Sequence, residues 1–472
     1  MNGMKLIRNL IVSFLVGALL CAQVAAVSRE EIQNGSILHC WCWSFKTIEA
    51  NMQKIKDAGF TALQTSPINT CLVGEYGGLE FMSPELNGKW YYHYQPTDWK
   101  IGNYRLGTRD EFISMCAKAK ELGIAVIVDV LPNHTTPRIK EISPEFIEAV
   151  GGMDKLFHKN NDHGIRNYAD RLECTTAHMG GLPDVNTENP LFQAYYMKYV
   201  NDVIDCGASG FRYDTARHIG LPDDPKDEYS KENDFWPIFL GKKAINGETL
   251  HNAENLFIYG EVLQGGNARE DAYGAIMPVV ASDYGKIIRS SLTSAKLNAK
   301  GLSDWRHPAA PNLVTWVESH DTYANQGESA KLTNVQLRLG WAIISSRAGG
   351  TPLFFNRPQG AEATQFPGAS LIGDIGNNEF FNKEVVAINK FRVAMAGEPE
   401  ELLNADGTEV LVVKRGEKGV SIINIGAKAH KISVPVALAD GTYVDHANNA
   451  KFSVKDGVLT GKVAKQKIAV IY

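Results

Sequence analysis

The sequence predicts an α/β protein: a (β/α)8 TIM barrel with a small subdomain inserted after its third strand, followed by a C-terminal antiparallel β-sandwich. Three observations carry this. Between about residues 36 and 395, short apolar runs alternate with longer helical patterns, as parallel strands joined by right-handed crossovers require. Residues 133–184 break the rhythm with a segment rich in Asn, His, Gly and Asp, too long for an ordinary barrel loop. After about residue 400 the pattern changes to alternation, with Asp-Gly turns at 440–441 and 456–457.

Taken in order, the chain opens with Lys5 and Arg8, an apolar run over Leu10–Cys21 and small residues up to Ala26. This reads as a secretory signal peptide, residues 1–26, cut after Ala26. The run is shorter than the roughly 20 residues a membrane span needs. The catalytic barrel is expected over 27–396. Its candidate strands are Ile37–Trp41, Thr61–Thr65, Ala125–Val130, Gly210–Asp214, Phe257–Val262, Val279–Ser282, Val314–Glu318 and Pro352–Phe355. Two helices between them are well marked. Phe45, Ile48, Met52 and Ile55 line one face before Gly59, and Thr108 with Glu111 forms a capping box for a stripe of Phe112, Met115, Cys116, Ala119 and Leu122 that stops at Gly123. The sandwich is expected over 397–472, from alternating runs at 409–413, 420–423, 431–434 and 467–471.

The 48 basic and 53 acidic residues leave a net charge of −5, against the basic excess of a nucleic-acid partner and with no sign of attraction to an anionic membrane. A neutral partner fits. Beyond Cys21 there are six cysteines: Cys40, Cys42, Cys71, Cys116, Cys174 and Cys206. An even count in an exported chain allows up to three disulfides. Cys116 and Cys206 fall in apolar helical patterns and read as buried free thiols. Cys40 and Cys42, two apart, are expected on one face of a strand.

The chemistry of such a barrel sits at the C-terminal ends of its strands. Four acids end four expected strands: Asp129, Asp214, Glu261 and Asp321. One carboxylate there is commonly a cap or a salt-bridge partner, whereas four that converge, several beside basic or aromatic residues, point to a site. Glycosidic cleavage uses such a cluster, because carboxylates stabilise an oxocarbenium-like transition state while one carboxyl keeps a proton for the leaving oxygen. Arg212, two residues before Asp214 on the same face, would favour the ionised Asp214 and leave Glu261 with the raised pKa.

The segments Asp129-Val-Leu-Pro-Asn133-His134, Gly210-Phe-Arg-Tyr-Asp214-Thr-Ala-Arg217-His218, Gly260-Glu261-Val-Leu and Glu318-Ser-His320-Asp321 resemble, in order and spacing, the four signature segments of the α-amylase family of glycoside hydrolases, and Leu182-Pro183-Asp184-Val185-Asn186 resembles a fifth. The likeness covers nearly the whole mature chain and is nearest to secreted bacterial members of the Bacillus subtilis type. It implies Asp214 as nucleophile, Glu261 as general acid and base, and Asp321 as a third acid gripping sugar hydroxyls. It implies Arg212 as the residue orienting Asp214, His134 and His320 as sugar hydrogen-bonders, Tyr94 and Gln95 beneath the sugar at the cleavage point with Tyr91 as a neighbouring platform, and Asp129 as structural. It also implies calcium, held by Asn133 and Asp184 with main-chain oxygens near Thr175 and at His218.

The departures are informative. Arg217 stands where most relatives have Lys, so a sugar past the cleavage point would meet a planar group. Ser319 replaces a common Asn, and Pro352 lies near where chloride-activated relatives place a basic residue, so chloride dependence is not expected. The implied protein is a secreted, monomeric, endo-acting α-1,4-glucan hydrolase acting on starch, with no nucleic-acid partner and no membrane after signal cleavage. An α-glucan transglycosylase or a debranching or oligosaccharide hydrolase on the same scaffold is the alternative, and a non-catalytic glycan-binding barrel is opposed by the presence of all three acids.

Overall fold

The computed structural model describes residues 26–73, 89–160, 162–304, 313–364, 367–405 and 407–472. The leader expected at residues 1–26 lies outside them apart from Ala26. Among the described residues no helix is long and apolar enough to cross a membrane.

Eight parallel strands close into a barrel: β1 (Ile37–Cys40), β2 (Ala62–Thr65), β3 (Ala125–Val130), β4 (Gly210–Tyr213), β5 (Phe257–Gly260), β6 (Val279–Val280), β7 (Leu313–Thr315) and β8 (Thr351–Phe355). They pair in sequence order, and β8 closes on β1 through Ile37 opposite Leu353. Side chains alternate across each strand. Inward positions such as Ile37, Ala62, Ile127, Phe257, Val314 and Leu353 fill the barrel, while outward ones such as Leu38, Leu63, Val126, Val128 and Phe211 pack under the helices. Both faces are therefore apolar, which is why each strand reads as a continuous apolar run. Gly210 is fixed by close approach, since a Cβ there would lie 2.0 Å from the Phe257 carbonyl oxygen.

The strand pairing ends one to three residues before several expected ends. Asp214 and Glu261 fall just past the last paired residues of β4 and β5, and Asp321 lies six residues beyond β7 at the start of a π-helical turn, Asp321–Asn325. Cys42 is likewise outside β1, in a turn at φ 59°, so it does not share a strand face with Cys40. The helix expected across Phe45 to Ile55 is two short helices, Phe45–Ala50 and Met52–Asp57, because Asn51 adopts φ −106°, ψ 7° and caps the first. The Thr108 capping box is present on the helix Arg109–Glu121. All six cysteines among the described residues are buried free thiols, so none of the disulfides that the count allowed is formed.

Residues between β3 and the helix Pro190–Asp205 form short helices and isolated bridges such as His134 with Asp184 and Phe157 with Val185. The C-terminal region has two four-stranded antiparallel sheets, one of β9 (Glu400–Asn404), β10 (Val410–Arg415), β11 (Gly419–Asn424) and β16 (Lys467–Ile471), the other of β12 (His430–Pro435), β13 (Gly441–Val444), β14 (Lys451–Lys455) and β15 (Val458–Val463). Val412, Ile422 and Ile471 of the first meet Ile432, Phe452 and Leu459 of the second. The outer face of the first sheet, with Leu411, Val413 and Ile423, joins the barrel core.

The lower mouth of the barrel is closed by two buried arginines. Arg392 donates to the carbonyls of Gln33, Gly35, Ser345, Arg347 and Gly350, and Arg415 to those of Ser346, Met395 and Glu398. They tie the barrel floor to its last helix and to the sandwich.

Candidate active site

The upper mouth grows directly out of the strand pleat. Ala125, Ile127 and Asp129 follow one another on the inner face of β3, as Gly210, Arg212 and Asp214 do on β4 and Phe257, Tyr259 and Glu261 on β5. Asp129 and Arg212 are cross-strand partners, and Tyr259 continues their rung. The apolar filling thus gives way, one pleat from the top, to charge.

Arg212 is the hub. Its Nη1 lies 2.8 Å and 3.0 Å from the Asp129 carboxylate oxygens and 2.5 Å from Asp214 Oδ1, and its Nη2 lies 2.9 Å from Glu261 Oε1. The sequence pointed Arg212 at Asp214; in the fold it also touches Glu261, because the strands that lead into Asp214 and Glu261 are adjacent. Burial raises the pKa of both Asp214 and Glu261, and Arg212 pulls each back down. Burial also opposes the charge of Arg212, but Asp129, Glu261 and Asp214 push its pKa well above the usual value. Asp129 is fully buried and accepts a further hydrogen bond from Tyr94 Oη at 2.9 Å. It does not line the cleft.

The chain leaves Asp214 through Thr215, a β-branched residue held at φ 49°, where such residues are strained. The strain places the Thr215 N–H 2.9 Å from Glu261 Oε2. Asp321 is the most open of the acids, with 23% of its side chain exposed, and accepts from Asn325 Nδ2 at 3.3 Å. Enclosure raises its pKa too, against the pull of Arg212.

These acids face a cleft lined by Trp90, Tyr91, Tyr94, Gln95, His134, Arg217, His218, His320 and Asp321 with Asp214 and Glu261 at its floor. Tyr94 stacks on His320 with ring centroids 4.9 Å apart and planes 19° from parallel. His134 Nε2 donates to the Tyr94 carbonyl at 3.0 Å, leaving Nδ1 without a partner. Burial holds both histidines neutral, each pushed down to about 4. Arg217 donates to the carbonyls of Leu263 and Gly265 and lies over the ring of Tyr168. Trp90, Tyr168 and Leu263 also line the cleft and were not singled out from the sequence. Trp90 stood in the same aromatic run as Tyr91 and Tyr94, whereas nothing near Tyr168 signals its place.

Of the four residues implied for the metal, Asn133 pairs with Asp184, and His218, which also lines the cleft, reaches the helix Arg171–Thr176 that carries Thr175. Asn133 Nδ2 lies 3.2 Å from Asp184 Oδ1, both side chains being buried. The Thr175 hydroxyl donates to the Arg171 carbonyl and His218 Nδ1 to that of Cys174. Among the described residues no group of three or more His, Cys, Asp or Glu side chains stands ready to hold a metal ion; Asn133 and Asp184 supply two buried hard oxygens of the six to eight that calcium takes, the amide orientation being interchangeable. Sequence reasoning missed the group that steadies this corner: His158 places Nδ1 2.6 Å from Asp184 and Nε2 2.7 Å from Glu188. Burial opposes its charge, but the two carboxylates push its pKa up to about 10.

No family model matches the chain. Among curated proteins, an alpha-amylase of Butyrivibrio fibrisolvens is 44% identical over 95% of this chain and 48% of its own length. An alpha-amylase of Clostridium acetobutylicum is 34% identical over 94% of this chain and 54% of its own length. The chain thus spans about half the length of these relatives. Among solved structures, wild-type alpha-amylase I of Eisenia fetida superposes with a TM-score of 0.72 at 19% identity, covering 93% of this chain and 97% of that one. An Anoxybacillus alpha-amylase gives a TM-score of 0.69 at 20% identity, covering 93% and 98%. At that identity the two structures show a shared fold.

Proposed function

The chain belongs to the α-amylase family of glycoside hydrolases, and on that premise we propose that it cleaves internal α-1,4-glucosidic bonds of starch and related glucans with retention of configuration. The observation that carries this reading is the meeting of Asp214, Glu261 and Asp321 in one aromatic-lined cleft over a single arginine.

In the first step the Asp214 carboxylate attacks the anomeric carbon while the bond to the leaving oxygen breaks and that oxygen takes the proton of Glu261. The contact with Arg212 favours ionised Asp214 despite burial. In the second step water gives a proton to Glu261 and its oxygen attacks the anomeric carbon, releasing Asp214. Asp321 grips sugar hydroxyls, neutral His134 and His320 hydrogen-bond the sugar at the cleavage point, and Tyr94, Gln95 and Tyr91 form its platform. Arg217 meets the sugar beyond the cleavage point. Asp129 holds Arg212.

Asn133 and Asp184, with main-chain oxygens near Thr175 and at His218, would hold calcium, which when bound would tie the inserted segment to the strand end that bears Asp214. The reading also includes export through a leader at residues 1–26, a barrel over 27–396, a sandwich over 397–472 and a monomeric protein in solution with no nucleic-acid or membrane partner.

The test is a time course of amylose products with anomeric detection by NMR, on the wild type and on Glu261→Gln. Short oligosaccharides of the α-anomer should appear from internal cuts, and the variant should lose at least about 10²–10⁴-fold in rate while still binding amylose. Undiminished cleavage by Glu261→Gln would end the assignment. Chelation should lower the thermal midpoint if calcium sits between Asn133 and Asp184.

A further inference from the structure

Glu318 belongs to the signature segment that ends in Asp321, yet it has no place in the reaction above. It is buried and turned away from the cleft. Its carboxylate forms a two-pronged pair with Arg357, Nε at 2.8 Å and Nη2 at 2.7 Å, with both side chains at least 96% buried. Arg357 follows β8, the neighbouring strand.

Arg357 does more than neutralise Glu318. Its Nη1 donates to the Leu332 carbonyl at 3.0 Å and its Nη2 to that of Ser329 at 2.8 Å, and its guanidinium lies 4.5 Å from the centre of the Tyr323 ring. Ser329 in turn donates its N–H to the Thr322 carbonyl and shares a hydroxyl contact with Thr322. Tyr323 is held at its far end by the Pro367 carbonyl. Asp321 sits between Glu318 on one side and Tyr323 on the other, both against one guanidinium, with Thr322 joined to it through Ser329. Among the described residues its own side chain has a single 3.3 Å hydrogen bond, from Asn325, and a longer approach from His320 at 3.5 Å. The turn itself is a π-turn, with the Gln326 N–H reaching back to the Asp321 carbonyl, a conformation that ordinary helix propensity does not stabilise.

A carboxylate with so weak a hold on its own surroundings takes its position from the backbone that carries it. We infer that Arg357 is a positioning residue for Asp321, clamping the segment from Glu318 to Leu332 so that the third acid of the cleft stands where a bound sugar meets it. The inference rests on the reaction proposed above. Lysine would keep the charge beside Glu318 but lose the planar fork and at least one carbonyl bond.

The experiment compares Arg357→Lys, Asp321→Asn and the two combined on a chromogenic maltooligosaccharide, with hydrogen exchange over residues 318–332. Because single removal of a buried partner can unfold a protein, the paired variant Arg357→Met/Glu318→Leu, which leaves no charge behind, is measured alongside. Arg357→Lys should lower kcat by about 10–100-fold, with a smaller change in KM. In the Asp321→Asn background the same substitution should cost less than about two-fold, since the group it positions is already gone. Exchange should quicken within 318–332 and not elsewhere. The inference is overturned if Arg357→Lys keeps wild-type kcat, or if its loss multiplies in full with that of Asp321→Asn. A wild type that cleaves no glucan, with residues 318–332 still loosened by Arg357→Lys, would break the reaction and leave the clamp standing; unchanged exchange would remove the clamp as well.

Discussion

The two mouths of the barrel bury arginine for opposite ends. At the lower mouth Arg392 and Arg415 donate their hydrogen bonds to main-chain carbonyls, with Glu400 acting on both from further off, and burial, then the neighbouring Arg415, pulls the pKa of Arg392 down. At the upper mouth Arg212 is surrounded by three carboxylates that push its pKa up. The lower pair satisfies carbonyls that a closed floor would otherwise leave unpaired, and is a rivet. The upper one sets the ionisation of its neighbours. Among the described residues both mouths leave buried polar atoms without partners, Ser36 Oγ and Ser345 Oγ at the lower and His39 Nε2, His134 Nδ1, Thr215 Oγ1 and Arg217 Nε near the cleft, where a bound ligand or water is the natural partner.

That contrast can be broken most forcefully by exchanging its arginines for methionine. Arg212→Met should lower kcat/KM on amylose by about 10³-fold or more, because it removes the pull on Asp214 and Glu261 together. Arg392→Met should leave kcat of the folded protein within about two-fold while costing about 3–5 kcal/mol of stability, read from denaturant unfolding. Equal losses of activity in both would erase the distinction. Next in size, Gly210→Ala at the lower end of β4 should cost about 1–3 kcal/mol through collision with the Phe257 carbonyl, again with no loss of kcat in the surviving fold.

A subtler effect belongs to the upper mouth alone. Asp129→Asn withdraws a negative charge from beside Arg212, leaving more of the cation for Glu261 and Asp214, so both carboxyls become stronger acids. Glu261 must be protonated to donate, and its pKa is raised in the wild type. The basic limb of the kcat/KM profile should therefore move to lower pH in the variant, by about half to one unit. Movement to higher pH would mean that Asp129 does not compete for Arg212. The smallest effect is expected far from either mouth: Thr108→Ala removes one helix cap and about 1 kcal/mol.

The same contrast marks what a sequence discloses. The eight strands were legible because runs such as Ala125–Val130 are buried on both faces and so are apolar throughout. Asp129, Arg212, Asp214 and Glu261 were legible because two-residue spacing on a strand puts them on one face, and because neighbouring strands repeat the arrangement. Arg392 and Arg357 were not, since their partners are main-chain carbonyls or a carboxylate that lies 39 residues away for Arg357 and Glu318, and a carbonyl has no letter in the sequence. His158 was hidden for a related reason, its two carboxylates lying 26 and 30 residues on. In the sandwich β9, β13, β14 and β15 escaped: Glu400–Asn404 and Gly441–Val444 bury no residue, and Lys451–Lys455 and Val458–Val463 bury two each in runs otherwise made of Lys, Ser, Thr, Gly and an exposed Val.

The six buried thiols set how this protein dies when heated. While the fold holds, enclosure keeps their pKa values high and their sulfurs out of reach of oxidants. Once it opens in air, six reactive sulfurs appear on one chain with no native pairing to return to, and any bond that forms between them locks a wrong shape. Thermal inactivation should therefore be a one-way loss whose recovery on cooling depends on reductant, although no disulfide forms among the described residues of the native structure.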